Sequence, residues 1–147
     1  MIVVVDDTMA LRSTRVNEAQ RRTTVLTRAK GSSRIYTLIG DGAIAYFDAD
    51  DAYTLENPTQ DEFGDPPHLF ALAATREDEL VAADLDTAYR YRVVGDRLEE
   101  VARTSLVSDR ASRAWLHVAC DGARAFVSAT DYLVEVGRGG SVEAQTD

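Results

Sequence analysis

Apolar and polar positions alternate with a period of two along most of this chain, the pattern of half-buried β-strands. Residues 34–39 (Arg-Ile-Tyr-Thr-Leu-Ile) and 43–47 (Ala-Ile-Ala-Tyr-Phe) read as two strands joined at Gly40-Asp41-Gly42. Asp-Gly between apolar runs is a strong short-range hairpin signal. Cys120-Asp121-Gly122 repeats it, between residues 115–119 and 125–127. Residues 89–94 alternate cleanly, and Gly95-Asp96 turns them into residues 98–101. The segment from Glu56 to Pro67 holds all three prolines, Pro58, Pro66 and Pro67, with Asn57, Gly64 and Asp65, and reads as the main loop. Residues 8–22 keep no single apolar face and read as strand plus loop. Gly137-Arg138-Gly139-Gly140 reads as a late hairpin turn.

The strands recur as a unit. With Asp7, Asp51, Thr87 and Asp131 as anchors, Val3, Phe47, Ala83 and Val127 lie four places before, and Met9, Tyr53, Tyr89 and Leu133 two places after. Asp41, Glu77 and Asp121 open a turn ten places before the last three anchors. The intervals are 44, 36 and 44 residues, near the blade length of propeller arrays, about 40–50 residues.

In these units, over roughly residues 1–140, the chain resembles the β-propeller repeat proteins. Residues 41–55 and 121–136 look like the second and third strands of a blade. The sequence departs from the WD40 pattern in having no Trp-Asp signature, and Glu77-Asp78 replaces Asp-Gly in the middle unit. The resemblance implies an all-β fold of about four blade-like antiparallel β units, a small or partial β-propeller within one domain, residues 1–147. A β-sandwich or open barrel of the same hairpins is the alternative. One hairpin cannot bury its apolar face alone. Stacking through Phe47, Tyr53, Phe126 and Leu133 is therefore expected, each burial contributing roughly 1.5–3 kcal/mol.

Charge changes the picture next. The chain has 25 acidic residues against 16 basic ones, a net −9; 16 of the acids are aspartates and Lys30 is the single lysine. Short, strongly hydrated carboxylates suit a surface in concentrated salt, where the Debye length shrinks to about 3 Å at 1 M. The reading is a haloarchaeal-type composition, with an acidic protein from a GC-rich genome as the alternative. Cys120 is the single cysteine, so no intrachain disulfide forms. The start has no basic region before its short apolar run, and no segment reaches the 18 or so apolar residues of a membrane span. The expected location is cytoplasmic.

Candidate chemistry is sparse. Asp48, Asp50 and Asp51 cluster, but Tyr53 stands where a calcium loop of the EF-hand kind needs glycine. They read as a hydrated turn, as do Asp84 with Asp86 and Asp61-Glu62 with Asp65. His117 and Cys120, three apart on a strand, point to opposite faces and make a poor metal pair. No phosphate loop, Gly-x-Ser-x-Gly elbow or His-Glu-x-x-His occurs in the sequence. No catalytic residue, metal site or cofactor is assigned.

One segment stands out. Residues 8–34 carry Arg12, Arg15, Arg21, Arg22, Arg28, Lys30 and Arg34 against Glu18 alone, a net +6, while residues 35–147 carry −13. Arginine grips carboxylate or phosphate with a planar fork. These seven residues are the expected partner-binding set of a non-catalytic protein-interaction or assembly module. The partner is an acidic protein or a second copy of the chain. The alternatives are neutralisation by the chain's own acids, a small enzyme with a carboxylate-lined pocket, and nucleic-acid binding through residues 12–34. Salt opposes the last of these, and no aromatic residues interleave the arginines to stack bases.

Overall fold

A computed structural model describes residues 2–5, 11–14, 26–29, 34–39, 42–48, 51–60, 63–76, 78–106, 117–121, 124–128, 133–136 and 142–146. These form fourteen strands and no helix, so among the described residues no helix is long and apolar enough to cross a membrane. The expected all-β architecture is present, in sheets that follow chain order. β1 (Ile2–Val5) pairs with β2 (Leu11–Thr14). β3 (Leu26–Thr27), β4 (Ile35–Ile39), β5 (Ala43–Asp48) and β6 (Asp51–Thr54) form the first four-stranded antiparallel sheet. β7 (Ala71–Arg76), β8 (Glu79–Ala83), β9 (Thr87–Val94) and β10 (Arg97–Ser105) form the second. β11 (His117–Asp121), β12 (Arg124–Ser128), β13 (Leu133–Val136) and β14 (Val142–Thr146) form the third.

The repeat read from the sequence falls on steps between paired strands, but not on the same step of each sheet. Asp51 opens β6, the fourth strand of its sheet, whereas Thr87 opens β9, the third of its own, so residues 41–55 hold the third and fourth strands of a sheet rather than the expected second and third. Asp7 and Asp131 fall outside the described residues; β12 and β13, on either side of Asp131 in sequence, are the second and third strands of their sheet, as β8 and β9 are of theirs. Each hairpin has its local cause. Gly42 takes φ +95° and Gly95 φ +62°, conformations that favour glycine, and the Gly42 amide donates to the Ile39 carbonyl at 3.1 Å to close the first turn.

Cores form between sheets. Tyr36, Leu38 and Ile44 of the first sheet meet Leu80, Tyr91 and Leu98 of the second in one apolar cluster. Ala83, Ala88 and Leu106 of the second meet Val127 and Val136 of the third in another. Specific bonds cross the same boundaries. Thr27 Oγ1 accepts from the Ala74 amide at 2.9 Å, and the Tyr46 hydroxyl donates to Asp96 Oδ1 at 2.9 Å. Arg90, 4% exposed, donates from Nη2 to the Val136 carbonyl at 3.0 Å.

The expected stacking residues divide. Phe47 is buried and Phe126 half-buried, but Tyr53 is 42% exposed. The Leu133 side chain lies outside the described set. Tyr53 belongs to β6, the sheet's edge strand, and stacks on Tyr46 of β5 with ring centroids 5.1 Å apart. One face of its ring is covered within its own sheet and the rest faces outward. Tyr46, one strand further in, makes the contact to the next sheet instead.

Residues 55–70 form the long connection between the first two sheets; its described residues hold no strand, only a single bridge from Glu56 to Arg97, in keeping with the prolines. It is pinned at both ends. Leu55 and Leu69 are buried, and Glu56 donates to the Asp96 carbonyl and accepts from the Leu98 amide, both at 2.8 Å. Gly42 sits so close to Leu69 that an added Cβ would lie 2.3 Å from the Leu69 nitrogen.

Candidate docking surfaces

The basic segment is placed in part. Arg12 lies in β2 opposite Val4. Arg28 follows β3 and is exposed. Arg34 precedes β4, with its guanidinium 4.4 Å from the centre of the Tyr46 ring. Arg15, Arg21, Arg22 and Lys30 lie outside the described residues. Arg28 and Arg34 thus stand at the two ends of the connection from β3 to β4, and Arg34 packs on an aromatic face.

Sequence reasoning passed over a second surface. A groove of about 760 Å³ opens where the long connection meets the second sheet. Phe63, His68 and Phe70 of the connection line it. The turn of Asp84, Leu85, Asp86 and Thr87 lines it too, with Arg103 of β10 and Leu106 just after it. Phe63 is 80% exposed and Phe70 44%. The His68 and Phe70 rings stack nearly parallel, 4.9 Å apart at 15°. Neither aromatic position shows in the pattern, because the loop's polar and proline-rich composition hides its two phenylalanines.

The turn is built around Asp84. Its Oδ1 accepts from the amides of Asp86 at 2.9 Å and Thr87 at 2.6 Å, and its Oδ2 accepts from the Tyr89 hydroxyl at 2.6 Å. The side-chain oxygen thereby completes a turn as a backbone carbonyl would. The hint was available: Asp84 stands three places before the Thr87 anchor, as Asp48 does before Asp51. Arg103 is gripped by Glu100 through two charge-assisted hydrogen bonds, reaches the Gln60 carbonyl at 3.3 Å, and lies 5.5 Å from the Tyr89 ring centre. Glu100 holds the Arg103 guanidinium above its usual range.

His68 with Asp84 and Asp86 in one concavity is what a catalytic reading would ask for. The bonding argues for a scaffold, since both Asp84 oxygens already hold the turn and Tyr89. Among the described residues, no group of three histidine, cysteine or carboxylate side chains is placed to share a metal ion. His117 and Cys120 both lie in β11, opposite Ser128 and Ala125.

Two tyrosines beneath the groove couple it to pH. Burial, then the Asp84 carboxylate, pushes the Tyr89 hydroxyl well above its usual value. Burial pushes Tyr91 up to about 12 from 10.0, with Asn57 and Thr59 opposing the rise. The folded state therefore holds both phenols neutral at a pH where the unfolded chain releases its protons. Stability gained this way is complete below about pH 9 and is lost as pH rises from about 10 toward 12, by about 2–3 kcal/mol for Tyr91 alone. Urea midpoints measured from pH 8 to 12 are expected to fall in that window, and Tyr91→Phe to flatten part of the slope. A midpoint unchanged through pH 12 would show that the hydroxyl is hydrated.

No family model matches the sequence, and no curated protein matches it. Solved structures do match in fold. Apo AztD from Citrobacter koseri superposes with a TM-score of 0.67 over 99% of this chain and 41% of its own, at 10% identity. Hsv2 from Kluyvelomyces marxianus gives 0.61 over 85% and 46%, at 12% identity. The WD40 domain of SCAP from fission yeast gives 0.55 over 88% and 32%, at 11% identity. This chain thus spans less than half the length of each. All three are of the β-propeller or WD40 type, and the fold here is propeller-like, with four-stranded sheets as blades.

Proposed function

We propose that this chain is a non-catalytic protein-docking module, a stack of propeller blades that presents the Arg-rich segment 12–34 to an acidic protein surface in a salt-rich cytoplasm. A propeller-like fold fits a protein-interaction module. The observation that carries the reading is the division of charge: net +6 over residues 8–34, ending in exposed Arg28 and ring-held Arg34 on the first blade, against net −13 beyond. In molar salt only charges in contact act strongly. Short-range arginine–carboxylate forks then carry recognition better than a long-range field does.

Titration with a labelled poly-glutamate peptide and with duplex DNA tests this, using the wild type and Arg21→Glu/Arg22→Glu. The wild type is expected to bind the peptide, and the variant about tenfold or more weakly. DNA bound more tightly than the peptide, with an affinity falling steeply with salt, would transfer the segment to a nucleic-acid role.

A further inference from the structure

We infer that the groove between the long connection and the second blade is the receptor for the Arg-rich segment 12–34 of a second copy of this chain, giving head-to-tail assembly. The inference rests on the docking reading above and names its partner.

The groove's chemistry fits arginine. Phe63 and Phe70 are exposed, and the stacked His68 and Phe70 rings form a flat aromatic face. A guanidinium is attracted to such faces and loses less hydration there than an ammonium would. The chain already packs arginine on rings in three places: Arg34 on Tyr46 at 4.4 Å, Arg103 on Tyr89 at 5.5 Å and Arg124 on Phe126 at 4.9 Å. Asp84 and Asp86 line the same groove, Asp84 next to Phe70 across the β7–β8 ladder. Arg103 is ion-paired with Glu100, so with Asp84, held within the turn, and Asp86 the acids at the groove outnumber its one guanidinium. A volume of about 760 Å³ is within the range of sites that hold a drug-sized ligand, room for an arginine side chain and its neighbours.

Charge complementarity selects the occupant. Across 113 residues the blades beyond residue 34 carry −13, and the one strongly basic stretch in the sequence is residues 8–34, seven cations against Glu18. Groove and segment are different stretches of the same chain. A contact between them is heterologous, each copy offering one of each, and it propagates as a ring or a filament.

Sedimentation velocity over a range of concentrations tests the inference with three proteins. They are the wild type, a groove variant (Phe63→Ser/Phe70→Ala) and a segment variant (Arg21→Glu/Arg22→Glu). Circular dichroism checks that each folds, and Phe63→Ser alone serves if the double variant does not. The wild type is expected to exceed its 16.1 kDa monomer mass as concentration rises. Each variant alone should associate at least tenfold more weakly. A mixture of the two variants should form a 1:1 complex, because one partner retains its groove and the other its segment. A wild type that stays monomeric, including by docking its own segment in its own groove, overturns the inference. So does a groove variant that assembles like the wild type, or a mixture that forms no complex. If the segment variant still loses poly-glutamate binding in those cases, the docking reading stands and only the groove assignment falls.

Discussion

Gly42→Ala is expected to cost about 3–5 kcal/mol of stability and to lower the melting temperature by about 10 °C. Two effects add. An alanine at φ +95° is strained, and its Cβ would stand 2.3 Å from the Leu69 nitrogen and 2.8 Å from the Leu69 carbonyl oxygen. Those are backbone atoms, so no side-chain rotation relieves the overlap, and the connection must move off the β4–β5 turn. Gly95→Ala separates the two effects. Gly95 also has positive φ, +62°, but an added Cβ meets nothing within 4 Å. Its cost is expected to be only about 1 kcal/mol. Urea unfolding of both variants makes the comparison, and equal losses would mean that Leu69 does not press on Gly42. Because His68 and Phe70 flank Leu69, the Gly42 variant should also disturb the groove.

Arg90→Met is the second large effect, expected at about 2–4 kcal/mol. Arg90 lies in β9 and reaches across the blade boundary to the Val136 carbonyl of β13. Methionine fills part of the volume but removes a charged donor from a buried carbonyl acceptor. The loss should be felt first in the third blade, as faster amide exchange in β12 and β13 with β4 and β5 little changed. Unchanged exchange in 124–136 would mean that the apolar cluster of Ala83, Leu106, Val127 and Val136 holds that blade unaided.

These two residues also show how far the sequence reaches. The hairpins were legible because their causes are local: Asp-Gly at 41–42, Gly95-Asp96, and a period of two on either side. The repeat spacing was legible, but not its register: Asp51 leads into a fourth strand and Thr87 into a third, because similar polar turns join more than one pair of strands in a sheet. Arg90 was not legible. In Tyr89-Arg90-Tyr91-Arg92 simple alternation puts both arginines on the solvent face, yet Arg90 is buried and Arg92 exposed. The first half of β9 is covered on both faces, the second half on one, and only the packing of the next blade decides where the cover ends. Tyr53 fails in the opposite direction. Its position in the repeat marks an inward residue, but an edge strand leaves it half outside. The groove depends on where a proline-rich connection comes to rest, which Gly42 and Leu69 fix through space.

Of the seven basic residues, two show side chains on the first blade, and Arg34 already uses an aromatic face as the groove would use Phe70. Hydrogen exchange of the wild type, compared between dilute and concentrated solution, tests the docking account most directly. It predicts that concentration slows exchange together in two stretches, residues 12–34 and residues 63–70 with 84–87. Protection confined to the edge strands β6 or β14, or equal exchange at both concentrations, would contradict it.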